Sequence, residues 1–450
     1  MVTAAYQSFG RVNRPASKVL DAAAAMKLLQ SRNAKPNSLL GFGNGKSYGD
    51  SCLNESGSVV DMRPMNRILG FDPVTGMIEA EAGALLSEII AYTAPHGWFP
   101  AVVPGTQFVT LGGAIANDVH GKNHHRRGTF GRHVDSFTLL GSDGRTRRCA
   151  ATIEPRLFEA TIGGMGLTGL ILTATVRLMK VSSLDVEERV TRFRNLDEYF
   201  ALAPRADEDN EYAVAWVDQL AGGKGFGRGL LLTGNHAPGG GKTVQAAGGL
   251  LSVPFQPPVT VLNRPFLKLF NAAYRFGKGR HRAPRRSSYQ SFFFPLDGVR
   301  DWNLLYGPKG LFQHQSAVPE EAARTAVPAM LEAARRAGQG SFLTVLKRFG
   351  ALRSPGFISF PRPGYTLTLD FPNRGQTTLD LLAELDRITV AAGGAVNPYK
   401  DARMSPQTFA AWFPDWRLLE AARDPAFQSD FWMRTAMRLV SKDAMPAAAE

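Results

Sequence analysis

Short apolar, β-branched runs separated by glycine and proline fill the chain from residue 37 to about residue 180. Such runs are typical of strands, and the clearest cover residues 58–62, 77–82 and 170–178. Residues 85–96 instead carry apolar side chains at helical spacing. This part of the chain is therefore predicted to form an α+β domain.

The apolar pattern changes after residue 182. Strand-like runs cover residues 186–190, 212–217, 229–233, 313–318 and 365–371. Residues 320–337 and 378–392 have the spacing of long helices. We expect a second α+β domain with a broad sheet over residues 183–394. A C-terminal segment follows, in which residues 425–440 predict a last helix that folds back on the first domain.

Residues 236–288 fit neither pattern, since they are first rich in Gly and Ala and then mix Pro, Arg, Phe and Leu without a clear period. We predict a loop or lid insertion that is partly mobile. Between Asp218 and Asp297 there is no Asp or Glu, whereas eleven Lys or Arg occur. This segment supplies most of the formal net charge of +13 and favours an anionic partner.

Composition excludes several classes of protein. The chain of 450 residues suits two folded domains, with 44% hydrophobic and 20% charged residues. Two cysteines, Cys52 and Cys149, are too few for a disulfide framework or a closed zinc site. No metal centre is expected at the histidines near residue 120, because Lys122 and the Arg126–Arg127 pair oppose a cation.

The chain also lacks targeting signals. No signal peptide is apparent, and no run reaches the ~20 apolar residues of a spanning helix. We expect a cytoplasmic protein, with a peripheral position at an anionic membrane as one reading of the basic segment and a solvated lid as the other. Nucleic-acid binding is not expected, because the aromatic residues form no stacking platform and no recognised module is present.

Three glycine-rich runs carry the chemistry: GFGNGKSYGD at residues 41–50, PGTQFVTLGGAIANDVHGKNHH at 104–125 and IGGMGLTG at 162–169. Glycine lets a backbone approach a ligand closely, and exposed amides there bind phosphate oxygens. The first run is one residue too short for a P-loop, and its Lys46 stands where a Rossmann fingerprint needs its third glycine. Several such loops together predict a large planar, phosphorylated cofactor.

With these runs and the closing RDPAFQSDFWMR, the chain resembles the FAD-binding oxidases of the vanillyl-alcohol-oxidase superfamily, and within it the branch that oxidises polyprenyl-phosphate-linked ribose. The resemblance extends through EYAVAWVD, FFFPLD, SFLTVLKRFG, GYTLTLDFP and YKDAR. It implies a two-domain α+β fold, with a PCMH-type FAD-binding domain over residues 1–182, a substrate domain with a broad antiparallel sheet flanked by helices over 183–394, and a segment over 395–450 that returns to the FAD domain. FAD is expected to be noncovalent, because Lys46 stands where several relatives have a flavin-linking histidine.

The resemblance also implies site residues. The catalytic candidates are Lys400, His120, Lys347 and Gln315, with Lys400 first for contact with the reacting hydroxyl. The cofactor-binding candidates are Gly43, Gly45, Lys46, Ser47, Tyr48, Gly49, Asp50, Pro104, Gly105, Thr106, Thr110, Gly112, Gly113, Ala116, Asn117, His120, Gly121, Asn123, Gly166, Thr168, Gly169 and Lys400. The substrate-binding candidates are Lys122, Val214, Trp216, Phe293, Gln313, Thr366 and Thr368. Whether a lysine acts as base or as charged donor depends on how far its pKa is lowered.

The implied reaction is oxidation of the 2-hydroxyl of a lipid-linked pentose phosphate to a keto sugar, the first half of an epimerisation that gives an arabinose donor. A separate NAD(P)H-dependent short-chain reductase is expected as partner, because the chain has no Rossmann signature. Four residues depart from the family pattern: Thr366, Thr368, Phe293 and Asn397 stand where Asn, Cys, Tyr and Tyr are usual. They leave the sugar open, and a soluble alditol or aldonolactone oxidase is the alternative.

Overall fold

The computed structural model of the protein describes residues 6–15, 17–242, 244, 251–281 and 283–443. Residues 243 and 245–250 and Arg282, all within the predicted insertion, lie outside the described residues. The fold is α+β, and the described residues form three larger β-sheets and a two-stranded parallel pair of β13 and β15. No helix in the described ranges has the length and apolar character needed to cross a membrane.

The strands are β1 (Lys18–Asp21), β2 (Leu39–Phe42), β3 (Ser58–Asp61), β4 (Ile68–Asp72), β5 (Met77–Glu81), β6 (Trp98–Pro100), β7 (Val134–Leu140), β8 (Thr146–Ala150), β9 (Leu170–Lys180), β10 (Val186–Phe193), β11 (Tyr212–Val217), β12 (Gly229–His236), β13 (Leu251–Ser252), β14 (Arg285–Ser287), β15 (Val299–Arg300), β16 (Leu311–Val318), β17 (Val345–Phe349), β18 (Gly364–Pro372) and β19 (Ala395–Val396). The helices are α1 (Ala22–Gln30), α2 (Leu86–Thr93), α3 (Leu111–Ala116), α4 (His124–Arg127), α5 (Pro155–Thr161), α6 (Leu196–Asp209), α7 (Arg264–Gly279), α8 (Tyr289–Phe293), α9 (Glu320–Arg336), α10 (Gln376–Ala391), α11 (Pro406–Trp412), α12 (Trp416–Ala422), α13 (Asp430–Arg434) and α14 (Ala436–Asp443). Short 3-10 turns lie at Ala94–His96, Phe130–His133, Gly223–Gly225 and Trp302–Tyr306.

The sheets divide along the chain. Strands β1, β3 and β2 form a small parallel sheet, and β4, β5, β9, β7 and β8 form an antiparallel sheet to which β6 adds through β9. The largest sheet has the order β14-β10-β12-β11-β17-β18-β16-β19 and is antiparallel throughout. In the described chain the first two sheets end by residue 180 and the third begins at residue 186. The domain boundaries at residues 182 and 394 stay a proposal.

The largest sheet has two unlike faces, because successive side chains of a strand point to opposite sides. Its apolar face packs on α6, α9 and α10, with Leu346 of β17 and Leu367 and Leu369 of β18 in that core. The alternating positions, such as Lys347 and Thr368, face the other way, towards a cavity. The strand periodicity thus places the chemically active side chains on one face.

The predicted loop or lid insertion contains regular structure, because residues 264–279 form the 16-residue helix α7. Asn263 caps the helix by accepting a hydrogen bond from the Phe266 N–H, and Pro265 occupies its first turn. Strand β14 of the same segment pairs with β10 at the edge of the largest sheet. Helix α7 carries apolar residues on two faces, and this hid its period in the sequence.

The predicted last helix over residues 425–440 is also only partly correct. Residues 425 and 426 form a turn and Phe427 bridges to Leu39 of β2, while Asn37 N–H donates to Pro425 O and Leu39 N–H donates to Ala426 O. Helix α13 then starts after the Ser429 cap, and a break at Thr435 separates it from α14. The pairing with β2 withdraws these backbone groups from a helix.

Candidate active site

A cavity of about 870 Å³ lies between the glycine-rich runs and the polar face of the largest sheet. This is the size of a small-molecule or cofactor site. The loops after β2 and β6, with α3, form one wall, which we call the glycine wall. Strands β11, β16, β17 and β18 form the opposite wall, which we call the sheet wall, and α7 lies over the cavity as a roof.

The glycine wall presents backbone rather than side chains. Within the described chain, the amide N–H groups of residues 44–48 donate no hydrogen bond, so they are free to bind a ligand. Gly45 has φ +59°, a left-handed conformation that favours glycine. The side chain of Asn44 donates to Phe108 O at 2.8 Å and ties this loop to the second one.

The second run adds open space. A Cβ placed on Gly105 would have no atom within 4 Å, and one on Gly113 would meet only Thr110 Oγ1. By contrast, the first amides of α3 are already bonded: Gly112 N–H donates to Ala82 O and Gly113 N–H donates to Thr110 Oγ1. The geometry therefore favours the loop after β2, and not α3, as the phosphate-binding backbone.

On the sheet wall, the Gln315 side chain is held in one orientation. Its Oε1 accepts a hydrogen bond from Asn397 Nδ2 at 3.0 Å, while its Nε2 donates to Thr366 Oγ1 at 3.0 Å and lies 3.1 Å from His120 Nε2. His120 Nε2 must then be an acceptor. Burial, helped by Lys347 and Lys400, holds the pKa of His120 well below its usual value, so the imidazole is neutral.

Three lysines surround this group. Burial lowers the pKa of Lys347 to about 7, with help from Lys400 and Lys122. Burial also lowers the pKa of Lys122 to about 7 and that of Lys400 to about 8. Lys347 Nζ donates to Gly121 O at 3.1 Å, and Lys122 Nζ donates to Phe292 O above its ring. Amines in such surroundings bind anions strongly when charged and act as bases when neutral.

Sequence reasoning missed Asp370. It is fully buried on β18 and accepts a hydrogen bond from Gln313 Nε2 at 2.6 Å. Burial raises the pKa of Asp370 to about 7, and nearby Lys400 opposes this rise. The available signal was an acidic residue inside the otherwise apolar run LTLDFP, because a buried carboxylate needs a partner. Asn397 was noted only as a departure, although it fixes Gln315.

Most of the predicted residues border the cavity. On the glycine wall these are Gly43, Gly45, Lys46, Ser47, Tyr48, Pro104, Gly105, Thr106, Thr110, Gly112, Gly113, Ala116, Asn117, Gly121, Gly166 and Gly169. Towards the sheet wall and the roof they are His120, Lys122, Val214, Trp216, Phe293, Gln313, Gln315, Lys347, Thr368 and Lys400.

Five predicted residues do not border the cavity and instead contact other parts of the protein. Asp50 forms an ion pair with Arg434 at 2.7 Å, and a Cβ on Gly49 would strike Asp401 O. Asn123 donates to Ala101 O and Glu211, Thr168 bonds Thr161, and Thr366 stands behind Gln315. The structure does not bring these five residues to the cavity lining, and their contact with a ligand stays a prediction.

The histidines after His120 are structural. His124 Nδ1 accepts from Gly350 N–H, and its ring lies against Phe349. His125 Nε2 lies 3.0 Å from Asn210 O. Within the described ranges, no group of three or more His, Cys, Asp or Glu is placed to hold a metal ion.

Comparison with known proteins identifies the cofactor and the family. A model described as an FAD binding domain matches residues 15–150. The decaprenylphosphoryl-beta-D-ribose oxidase of Mycolicibacterium smegmatis is 35% identical over 413 residues, which cover 87% of this chain and 88% of that protein. The chain belongs to this family of FAD-binding oxidases. It is an FAD-dependent oxidoreductase with the two-domain fold of the vanillyl-alcohol-oxidase superfamily.

Two other relatives match smaller parts of the chain. An uncharacterized protein in the mprA 5' region of Streptomyces coelicolor is 36% identical over 366 residues, 76% of this chain and 97% of that protein. The L-gulonolactone oxidase of Mus musculus is 29% identical over 135 residues, 30% of each chain. The glycine wall suits FAD, because free amides and a slot without side chains are what a pyrophosphate and a flat ring system require.

Proposed function

We propose that the chain oxidises the 2-hydroxyl of a polyprenylphosphoryl pentose of the decaprenylphosphoryl-β-D-ribose type to the 2-keto sugar. The observation that carries this proposal is the group formed by Gln315 and Lys347 of the sheet wall with His120 and Lys400, which follow α3 and β19 and border the same cavity. When bound, FAD supplies a hydride acceptor for the carbinol carbon. The protein must supply the proton acceptor and the orientation.

We assign to Lys400 the role of accepting the proton of the substrate hydroxyl. Burial lowers the pKa of Lys400 and so favours the neutral amine, while nearby Asp370 stabilises the ammonium that forms. His120 and Gln315 orient the sugar, since their hydrogen-bonding directions are fixed by Asn397 and Thr366. Lys122 is buried, and its Nζ donates to the Phe292 carbonyl oxygen. This amine is suited to bind the substrate phosphate.

The cofactor is proposed to be noncovalent, because Lys46 stands where several relatives carry the flavin-linking histidine. Lys46 Nζ lies over the Phe9 ring at 5.6 Å and borders the cavity. Acid precipitation of the purified protein should release all yellow colour to the supernatant. Colour that stays with the pellet would show a covalent bond.

We further propose that a separate NAD(P)H-dependent short-chain reductase completes the epimerisation and yields the arabinose donor. A keto sugar can regain a hydroxyl of the opposite configuration only from a hydride donor. The chain carries no Rossmann signature for such a donor. A lipid-linked substrate also implies a peripheral position at a membrane.

The alternative is an oxidase of free alditols or aldonolactones, favoured by the partial match to L-gulonolactone oxidase. Anaerobic addition of polyprenylphosphoryl ribose in detergent should bleach the flavin absorbance, whereas free polyols and aldonolactones should not. Bleaching by the free compounds alone would establish the alternative. Bleaching by the ribose but not the arabinose lipid would also fix the direction of the step.

A further inference from the structure

Helix α7 has apolar side chains on two opposite faces. Its inner face roofs the cavity: the Phe270 ring lies 4.8 Å from Phe342, and the Tyr274 ring lies 5.0 Å from Trp216. Lys278, one turn further on, is paired with Glu188 at 2.7 Å. These contacts fix which face of the helix points outwards.

The outer face is apolar as well. Phe266, Leu269, Ala273 and Phe276 are spaced by three, four and three residues, so they form one stripe, and all four are exposed. An ordinary surface helix would be polar there. Among the described residues, six large apolar side chains are exposed by 65% or more. Five of the six, at positions 251, 255, 259, 269 and 276, fall in this segment. A concentrated apolar patch of this kind marks an interaction surface.

The charge around the stripe is positive. Lys268 and Arg280 are exposed beside it, and no acidic residue occurs between Asp218 and Asp297. Two acidic groups pack under the helix, and both are already paired: Glu188 with Lys278 and Arg285, and Asp218 with Arg228. A second copy of the chain would present the same positive charge and repel it. Charge complementarity therefore favours an anionic surface.

We propose that the outer face of α7, together with the exposed apolar side chains of residues 251–259, docks on an anionic lipid bilayer. An apolar stripe flanked by cations is the pattern of a helix that lies in the interface plane. If the proposed function holds, this orientation places the roof of the cavity at the membrane that carries the lipid-linked sugar. Vesicle binding itself requires no turnover.

The apolar contribution is tested with the FAD-loaded protein and vesicles of phosphatidylcholine containing phosphatidylglycerol. The double variant Leu269→Ser, Phe276→Ser should bind these vesicles at least tenfold more weakly, on the order expected for losing two partly buried apolar side chains. The matched control is Val74→Ser, which is as exposed but lies in the turn between β4 and β5. Equal loss in both variants, or no loss in the double variant, overturns the docking face.

The charge contribution is tested with a second variant and its matched control. Lys268→Gln, Arg280→Gln should weaken binding about fivefold for each cation removed, and added salt should abolish this difference. Lys18→Gln, Arg145→Gln removes two exposed cations elsewhere and should change nothing. Binding to phosphatidylcholine alone as tight as to the anionic vesicles overturns the electrostatic part of the proposal.

Two further outcomes are decisive. A dimer in gel filtration that the Leu269→Ser, Phe276→Ser variant loses would assign the stripe to a second copy and overturn the proposal. Flavin reduction by the lipid-linked sugar in detergent should be unchanged in that variant and slowed only when the substrate is in vesicles. If the wild type binds vesicles but no lipid-linked sugar reduces its flavin, the proposed function fails and the docking face stands.

Discussion

The two walls of the cavity differ in what they expose: the glycine wall exposes mainly backbone, and the sheet wall exposes side chains. The glycine wall is built from residues close together in sequence and offers backbone amides and empty space around Gly105. The sheet wall is built from side chains of separate strands and offers the Lys347 amine and the oriented Gln315 amide, and His120 of the second glycine-rich run lies against it. The first is shaped to admit a flat phosphorylated group, and the second is charged to act on what lies beside it.

This difference predicts that changes to the two walls separate cofactor binding from chemistry. A bulky residue on the glycine wall should remove FAD and leave the charge pattern intact. A neutral residue on the sheet wall should keep FAD and stop the reaction. Variants that failed to separate in this way would show that the walls work as one unit.

The largest effect is expected for Lys400→Ala. Losing the proposed proton acceptor should slow flavin reduction by roughly 10²–10⁴-fold while the protein stays yellow. Stopped-flow absorbance under anaerobic conditions measures this rate. Lys46→Ala, on the glycine wall, is the matched lysine: it should weaken FAD binding but leave the rate of the FAD-saturated protein nearly unchanged. An unaltered rate in Lys400→Ala would remove this residue from the reaction.

A smaller effect is expected for Gly105→Val. A Cβ at this position has no protein atom within 4 Å, and Gly105 borders the cavity, so the valine side chain should fill cavity space with little strain on the fold. Crowding of this kind costs about 1–3 kcal/mol, which is roughly a fivefold to hundredfold loss of FAD affinity. Gly70→Val, equally free of neighbours on exposed β4, should keep full FAD content. Normal FAD affinity in Gly105→Val would place the cofactor elsewhere.

The buried ammonium of Lys347 on the sheet wall should lower the free energy of unfolding. Burial lowers the pKa of Lys347 from 10.5 to about 7, so below pH 7 the folded state holds a charge that is poorly solvated. Lys347→Met should therefore stabilise the protein at pH 6 by about 2 kcal/mol, after allowance for screening by cavity water. Between pH 7 and 10.5 the folded wild type loses this proton while the unfolded chain keeps it, so wild-type stability rises and the gain shrinks.

Urea unfolding of the two proteins at pH 6 and pH 9 measures this difference. The exposed Lys18→Met serves as control and should show no comparable gain. The variant should also reduce its flavin more slowly, so stability and activity move in opposite directions. A destabilised Lys347→Met at pH 6 would mean that the ammonium has a compensating partner.

The same contrast explains what the sequence could predict. The glycine runs, the FAD cofactor and the strands on either side of the runs were predicted, because those signals lie within short stretches. Asp370 and the holding role of Asn397 were not, because they depend on which strands pair: β16 lies between β18 and β19, and this alone brings residue 315 to residues 366 and 397. Helix α7 was missed because a helix apolar on two faces shows no single period.

The smallest effect tests the fixed amide of Gln315. Thr366→Val removes the acceptor of one Gln315 hydrogen bond at nearly unchanged side-chain size, whereas Thr366→Ser keeps the hydroxyl and loses only a methyl group. One such bond contributes about 1 kcal/mol, so the valine variant should lose roughly fivefold in the rate of flavin reduction. Because Thr366 stands behind Gln315 and does not border the cavity, substrate affinity should change less than the rate. Equal rates for valine and serine would show that Asn397 alone orients Gln315. The direction in which the Gln315 amide presents its donor to the cavity would then depend on one hydrogen bond.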